Sequence, residues 1–233
     1  MASLIIYIGF SISITCLIFA IIYLIKKLEE YIYFGHISYF NYNINDKSFD
    51  VIKDYDNYNN AAEILYKIDN NIIQLINNMI KKYHNNNDNL INPKKYKIIK
   101  NMIFKLQKNY KSHSIKENFP SKPGHDVSFN INKGEHISLC LRDFLNPQTF
   151  HEFNDIMFVA IHELAHSTAI SYQHTDEFWY NFKILLEHAI EFQLYEFRDY
   201  NKYPVNYCSM AITYTPLTDN NYNDNIYLNK IIS

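Results

Sequence analysis

Residues 156–166 read IMFVAIHELAH: six apolar positions, then a histidine, a glutamate and, four residues after the first histidine, a second one. At ~100° per residue, Ile156 to Ile161 cover every face of a helix, so the helix is expected to be buried. His162 and His166, spaced i and i+4, point the same way, and Glu163 falls at the edge of their arc. A buried group of this kind costs several kcal/mol unless its members are paired or coordinate an ion. A helix placing three ionisable groups here therefore calls for a partner, and a metal ion is the simplest one.

The pattern is the HExxH arrangement, in which two neutral imidazoles bind zinc and the glutamate polarises a water. Zinc lowers the pKa of water toward ~7, which generates a nucleophile near neutral pH. His162 and His166 are thus expected as zinc ligands and Glu163 as the catalytic base. A catalytic zinc takes a third protein ligand and leaves one position open. His174 is the first candidate, after seven intervening residues; Glu187, on the following helix, is the second. Phase separates them. Phe178, Phe182, Leu185, Leu186, Ala189 and Ile190 form an apolar arc, and Glu187 points roughly 140° from its centre, which favours His174.

Outward from this helix, the periodicity predicts four further pieces. Apolar residues from Ala61 to Tyr83 keep helical spacing behind an Asn59 or Asn60 cap. NNNDN at 85–89 breaks that helix. Pro93 opens another, marked by Ile98, Ile99, Met102, Ile103 and Leu106. It carries most of the seven lysines between Lys94 and Lys111, read as a solvated face before a surface for nucleic acid or anionic lipid. After the loop at Pro120, Pro123 and Gly124, DVSFNI (126–131) and HISLCLR (136–142) flank NKGE and read as a β-hairpin. Asn154 or Asp155 is expected to cap the HELAH helix. Thr175 is expected to cap the next one, which runs to about Tyr195. Residues 28–58 are expected to be a linker, and 218–233 a loose polar tail.

Residues 3–25 carry no charge and are mostly apolar. As a helix they reach roughly 33 Å, enough to cross a bilayer core, and a cleaved signal peptide fits poorly. Lys26 and Lys27 follow the run, so the bulk of the chain is expected on the cytosolic side. Cys16 lies in this run, and Cys140 and Cys208 alone make no disulfide framework, which suits a reducing compartment. The whole is expected as an α+β domain at 59–217 behind a membrane anchor at 1–27. A hydrophobic content of 48% supports a real core, and a formal net charge of −2 argues against a protein built chiefly to hold nucleic acid.

NKGEHISLCLR, DIMFVAIHELAHS, QHTDEFWYNFKILLEHAI and PVNYCSM resemble the WLM (Wss1-like) and SprT-like zincin metallopeptidases, in particular WLM-like proteins of large double-stranded DNA viruses. The resemblance covers roughly residues 126–212. It implies a small zincin fold with the hairpin beside a zinc-bearing helix, His162, His166 and His174 as ligands and Glu163 as catalytic base. That group commonly spaces its third histidine more tightly and often puts glycine before it, where this chain has Gln173. The resemblance implies peptide-bond hydrolysis. Strand 136–142 is expected to hold an extended protein or peptide substrate by edge pairing, with His136 or Arg142 near the cleft rim. Met210 is expected to be an ordinary core methionine. Two rival functions stand beside this one: a membrane-tethered adaptor in which zinc only fixes the fold, and a protease of DNA–protein crosslinks.

Overall fold

The computed structural model describes residues 15–25, 38–84, 92–119 and 127–230. Residues 15–25 are helical with exposed apolar side chains, Phe19 and Tyr23 among them. No helix among the described residues is long and apolar enough to cross a membrane. Residues 3–14 of the expected span, its flanking lysines, and the expected breaks at 85–89 and 120–124 lie outside the described residues.

From Tyr39 onward the chain forms one compact α+β unit, which runs to the C-terminal end. It opens with an antiparallel hairpin of β1 (Tyr39–Ile44) and β2 (Lys47–Ile52). This is the first correction, because 28–58 was expected to be a linker. The alternation is present in KSFDVI: Phe49 and Val51 face inward and are buried, while Asp50 faces out. Asn45 and Asp46 both take positive φ at the turn, a conformation these residues tolerate well. The abundance of Tyr, Asn and Asp in this stretch hides the pattern from hydropathy.

Helix α1 (Tyr58–His84) buries a stripe from Ala61 through Leu65, Ile68, Ile72 and Leu75 to Met79. Asp69, in the same stripe, is fully buried. Its carboxylate accepts from Lys47 Nζ at 2.6 Å, Tyr110 Oη at 2.6 Å and the His113 amide at 3.1 Å, which ties the hairpin and the segment 110–113 to α1. Helix α2 (Pro93–Asn109) starts as predicted, with Asn92 capping the Lys94 amide and proline in the first turn.

A three-stranded sheet follows, in the order β3-β5-β4. β3 (Ile115–Asn118) pairs parallel to β5 (His136–Cys140), and β4 (Phe129–Ile131) pairs antiparallel to it, with Phe129 opposite Ser138. The predicted hairpin is present, but its second strand is the centre of the sheet. β5 therefore has no free edge within this sheet for the substrate pairing expected there, whereas the outer edge of β4 is open within it.

Helices α3 (Phe153–His166) and α4 (Asp176–Glu191) pack on each other, with α3 also against β4 and β5. Thr175 caps α4 as predicted. Neither predicted cap of α3 holds: the helix begins behind Glu152, and Asp155 is buried, accepting from Tyr200 Oη at 2.7 Å and Arg198 at 3.2 Å. A short hairpin, β6 (Val205–Tyr207) and β7 (Met210–Ile212), completes the sheet elements. The expected loose tail is instead two 3₁₀ turns and a short helix α5 (Asp224–Lys230), anchored by Tyr227, which stacks on Tyr180 at 3.9 Å.

Cys140 and Cys208 form a disulfide, which corrects the expectation of free thiols and removes the cysteine argument for a reducing compartment. The last residue of β5 and the β6–β7 turn meet in space across a separation of 68 residues, which spacing alone does not reveal. Closing a loop of that length contributes about 2–4 kcal/mol. Urea unfolding with and without reductant should show a loss of that order; superimposable curves would mean the bridge does not form in solution.

Candidate metal centre and cleft

α3 delivers His162 and His166 one turn apart, with ring centroids 5.1 Å from each other. The segment 167–175 then turns back, and His174 comes to 4.9 Å from both rings. Ligand nitrogens of the three residues all lie within 4.8 Å of one another, and Nε2 of His162 and of His174 face each other at 3.0 Å. Three imidazoles converging on one point suit a single small cation of the zinc type. Among the described residues, no further His, Cys, Asp or Glu joins this cluster.

The surroundings favour the metal-binding protonation state. Burial lowers the pKa of His162 well below its ordinary value, helped by the neighbouring His166 and His174. Burial, then His174 and Lys133, brings His166 down to about 4, and burial also lowers His174. Neutral imidazole is the form that binds metal. Phe178 packs against all three rings, with centroids 4.3–4.9 Å away. Trp179 lies 5.4 Å from His174, and Phe182 lies 5.2 Å from His162.

Glu163 is 5% exposed and lines the same cleft as the histidines. Its backbone carbonyl accepts from Asn130 Nδ2 on β4 at 2.6 Å, which fixes the HExxH turn against the edge strand. The cleft has a volume of about 640 Å³. It is lined by Val127 to Asn130, by Tyr207 and Met210 to Tyr214, and by the aromatic rings of Phe158, Trp179 and Phe182.

A family model of the WLM domain matches residues 44–203, which include His162, Glu163, His166 and His174 but stop short of the cleft residues from Tyr207 onward. The chain belongs to the WLM domain family. An uncharacterized protein of Acanthamoeba polyphaga mimivirus is 32% identical over 206 residues, covering 88% of this chain and 95% of that one. An uncharacterized protein of Invertebrate iridescent virus 6 is 37% identical over 82 residues, or 35% of this chain and 44% of that one. Among solved structures, Wss1 of Saccharomyces cerevisiae is 22% identical with a TM-score of 0.33, covering 43% of this chain and 80% of that one. The S. pombe protein is 24% identical with a TM-score of 0.30, covering 40% and 74%.

Within this WLM domain, the other sequence candidates fall elsewhere. Glu187 faces away, 3.4 Å from Lys95 and 4.0 Å from Lys183. His136 is exposed at the start of the central strand. Arg142 is fully buried, far from any rim role: Nε donates to Glu117 Oε1 at 2.5 Å, and Nη1 donates to Asn57 Oδ1 and to the Pro147 carbonyl. Met210 is 55% exposed and lines the cleft, so it is no core methionine. Sequence patterns missed Asn130 and Tyr214 as site residues. The aromatic start of α4, EFWYNF, is the sequence signal for the aromatic lining of the cleft.

Proposed function

We propose that this chain is a zinc-dependent peptidase, with His162, His166 and His174 as the metal ligands and Glu163 as the general base. The convergence of three neutral imidazoles beside a buried glutamate, in a cleft walled by an edge strand, carries this reading. Bound zinc supplies a Lewis acid that polarises a carbonyl and makes water acidic. The Glu163 carboxylate takes a proton from the attacking water and passes it to the departing amine. An extended peptide pairs with the outer edge of β4, and the aromatic lining of the cleft holds an apolar side chain. Three histidines with no further His, Cys, Asp or Glu in their cluster among the described residues favour this over a zinc that would only fix the fold.

The uncharged run at 3–25 supports a single-pass anchor in a host or virion membrane; Lys26 and Lys27 after it favour the cytosolic side for the peptidase, and the Cys140–Cys208 disulfide favours an oxidising one. Cleavage of an unfolded protein by the full chain should stop with a chelator and return with added zinc. Cleavage that persists in chelator at undetectable zinc would overturn the proposal.

A second reading, a protease of DNA–protein crosslinks, has one observation in its favour. The surface of α2 exposes Lys94, Lys97 and Lys108 around Phe104, which is 63% exposed, and the helix carries no acidic residue. DNA binding by the full chain should then fall steeply with salt, and no binding at low salt would dispose of it.

A further inference from the structure

The segment Ser167–Gln173 connects two metal ligands without helix or strand of its own. Four successive carbonyls at its start are taken up by side chains from elsewhere in the fold. Asn109 Nδ2 donates to the Ser167 carbonyl at 3.4 Å, and Lys105 Nζ donates to the Thr168 carbonyl at 2.6 Å. Lys133 Nζ donates to the Ala169 carbonyl at 2.8 Å and to the Ile170 carbonyl. The same ammonium lies 4.7 Å from the centre of the Tyr172 ring, two residues before His174. On the far side of the loop, Glu177 accepts from the Ile170 amide at 3.0 Å.

We infer that Lys133 is a positioning residue for the third metal ligand, latching the 167–173 segment so that His174 closes the site. Lys133 sits in the β4–β5 turn, where Asn132, Lys133 and Gly134 all have positive φ, so the turn aims its side chain across the loop. The turn is itself fixed: the Gly134 amide donates to Asn130 Oδ1 at 2.6 Å, and Asn130 Nδ2 donates to the Glu163 carbonyl and to Ser167 Oγ. A side chain at Gly134 would meet Ser167 Oγ at 2.8 Å, so the turn and the loop are in close contact. One latch thus joins the edge strand of the cleft, the HExxH helix and the third ligand.

This rests on the metal reading, and the charge of Lys133 makes the two separable. Lys133 lines the cleft as a cation, so by charge alone its removal should tighten binding of another cation. A positioning role predicts the opposite sign. Zinc affinity of the full chain is measured by competition with a chromogenic chelator, for wild type, Lys133→Met, Lys133→Arg and Lys81→Met. Lys133→Met should weaken zinc about 10-fold or more, as loss of supporting partners around a metal ligand does. Lys133→Arg should recover most of that loss, and Lys81→Met, at an exposed position of α1, should match wild type. The cobalt-substituted Lys133→Met protein should also show an altered visible absorption band. Unchanged or tighter zinc in Lys133→Met would overturn the latch. Absence of zinc binding by wild type would instead remove the metal reading beneath it.

Discussion

Glu163→Gln should retain zinc at wild-type affinity and lose about 10²–10⁴-fold in kcat, the usual contribution of a positioned acid–base group. Glutamine keeps the size and helix propensity of glutamate but cannot take the proton. The backbone at this position is held independently of the side chain, because Asn130 bonds its carbonyl. The histidines that would hold the metal come from positions 162, 166 and 174, so the ligand set is untouched. Initial rates on a degenerate peptide library, with zinc content measured on the same sample, read both quantities. A variant that keeps full activity would refute the assigned role. A variant that loses zinc together with activity would show that Glu163 supports the ligands rather than the proton transfer.

Arg142→Met should lower stability by about 3–5 kcal/mol, the range for breaking a buried ion pair from one side. Arg142 and Glu117 are both fully buried, and the Ile52 amide donates to the second oxygen of Glu117 at 2.7 Å. The arginine thus links β3, the end of β2 and the loop after β5. Its guanidinium carbon also lies 4.3 Å from the Tyr55 ring centre and 4.5 Å from that of Phe150. Burial raises the pKa of Glu117, and the Arg142 charge works against that rise. Removing the arginine leaves the carboxyl with its desolvation uncompensated. Chemical denaturation gives the difference directly. A loss below about 1 kcal/mol would mean that Glu117 takes up its proton and the pair adds little. In that case the double variant Arg142→Met, Glu117→Gln should be no more stable than the single one.

What the sequence made legible followed local periodicity. α1, α2 and α4 stood out because their apolar stripes repeat at helical spacing, α3 because its apolar run covers every face, and His162 and His166 because i and i+4 share a face. The choice of His174 over Glu187 rests on helical phase, and in the fold Glu187 lies 3.4 Å from Lys95 and 4.0 Å from Lys183. What stayed hidden depends on contacts between distant segments. The β1–β2 hairpin is short and rich in polar residues, and its inward Phe49 and Val51 acquire meaning only against α1. The parallel pairing of β3 puts β5 in the centre of the sheet, and nothing in HISLCLR distinguishes a central strand from an edge. Arg142 reads as a surface residue until its partner Glu117, 25 positions away, is beside it. The Cys140–Cys208 bridge and the docking of Tyr227 on Tyr180 are likewise tertiary facts.

Zinc stoichiometry and affinity for three proteins decide the central claim: wild type, His174→Ala and Glu187→Ala, each purified as the full chain. The predicted result is one zinc per wild-type chain, the same tight site in Glu187→Ala, and a loss of about 10-fold or more in His174→Ala, at least the effect of losing a supporting partner. Equal zinc affinity in wild type and His174→Ala would contradict the three-histidine centre.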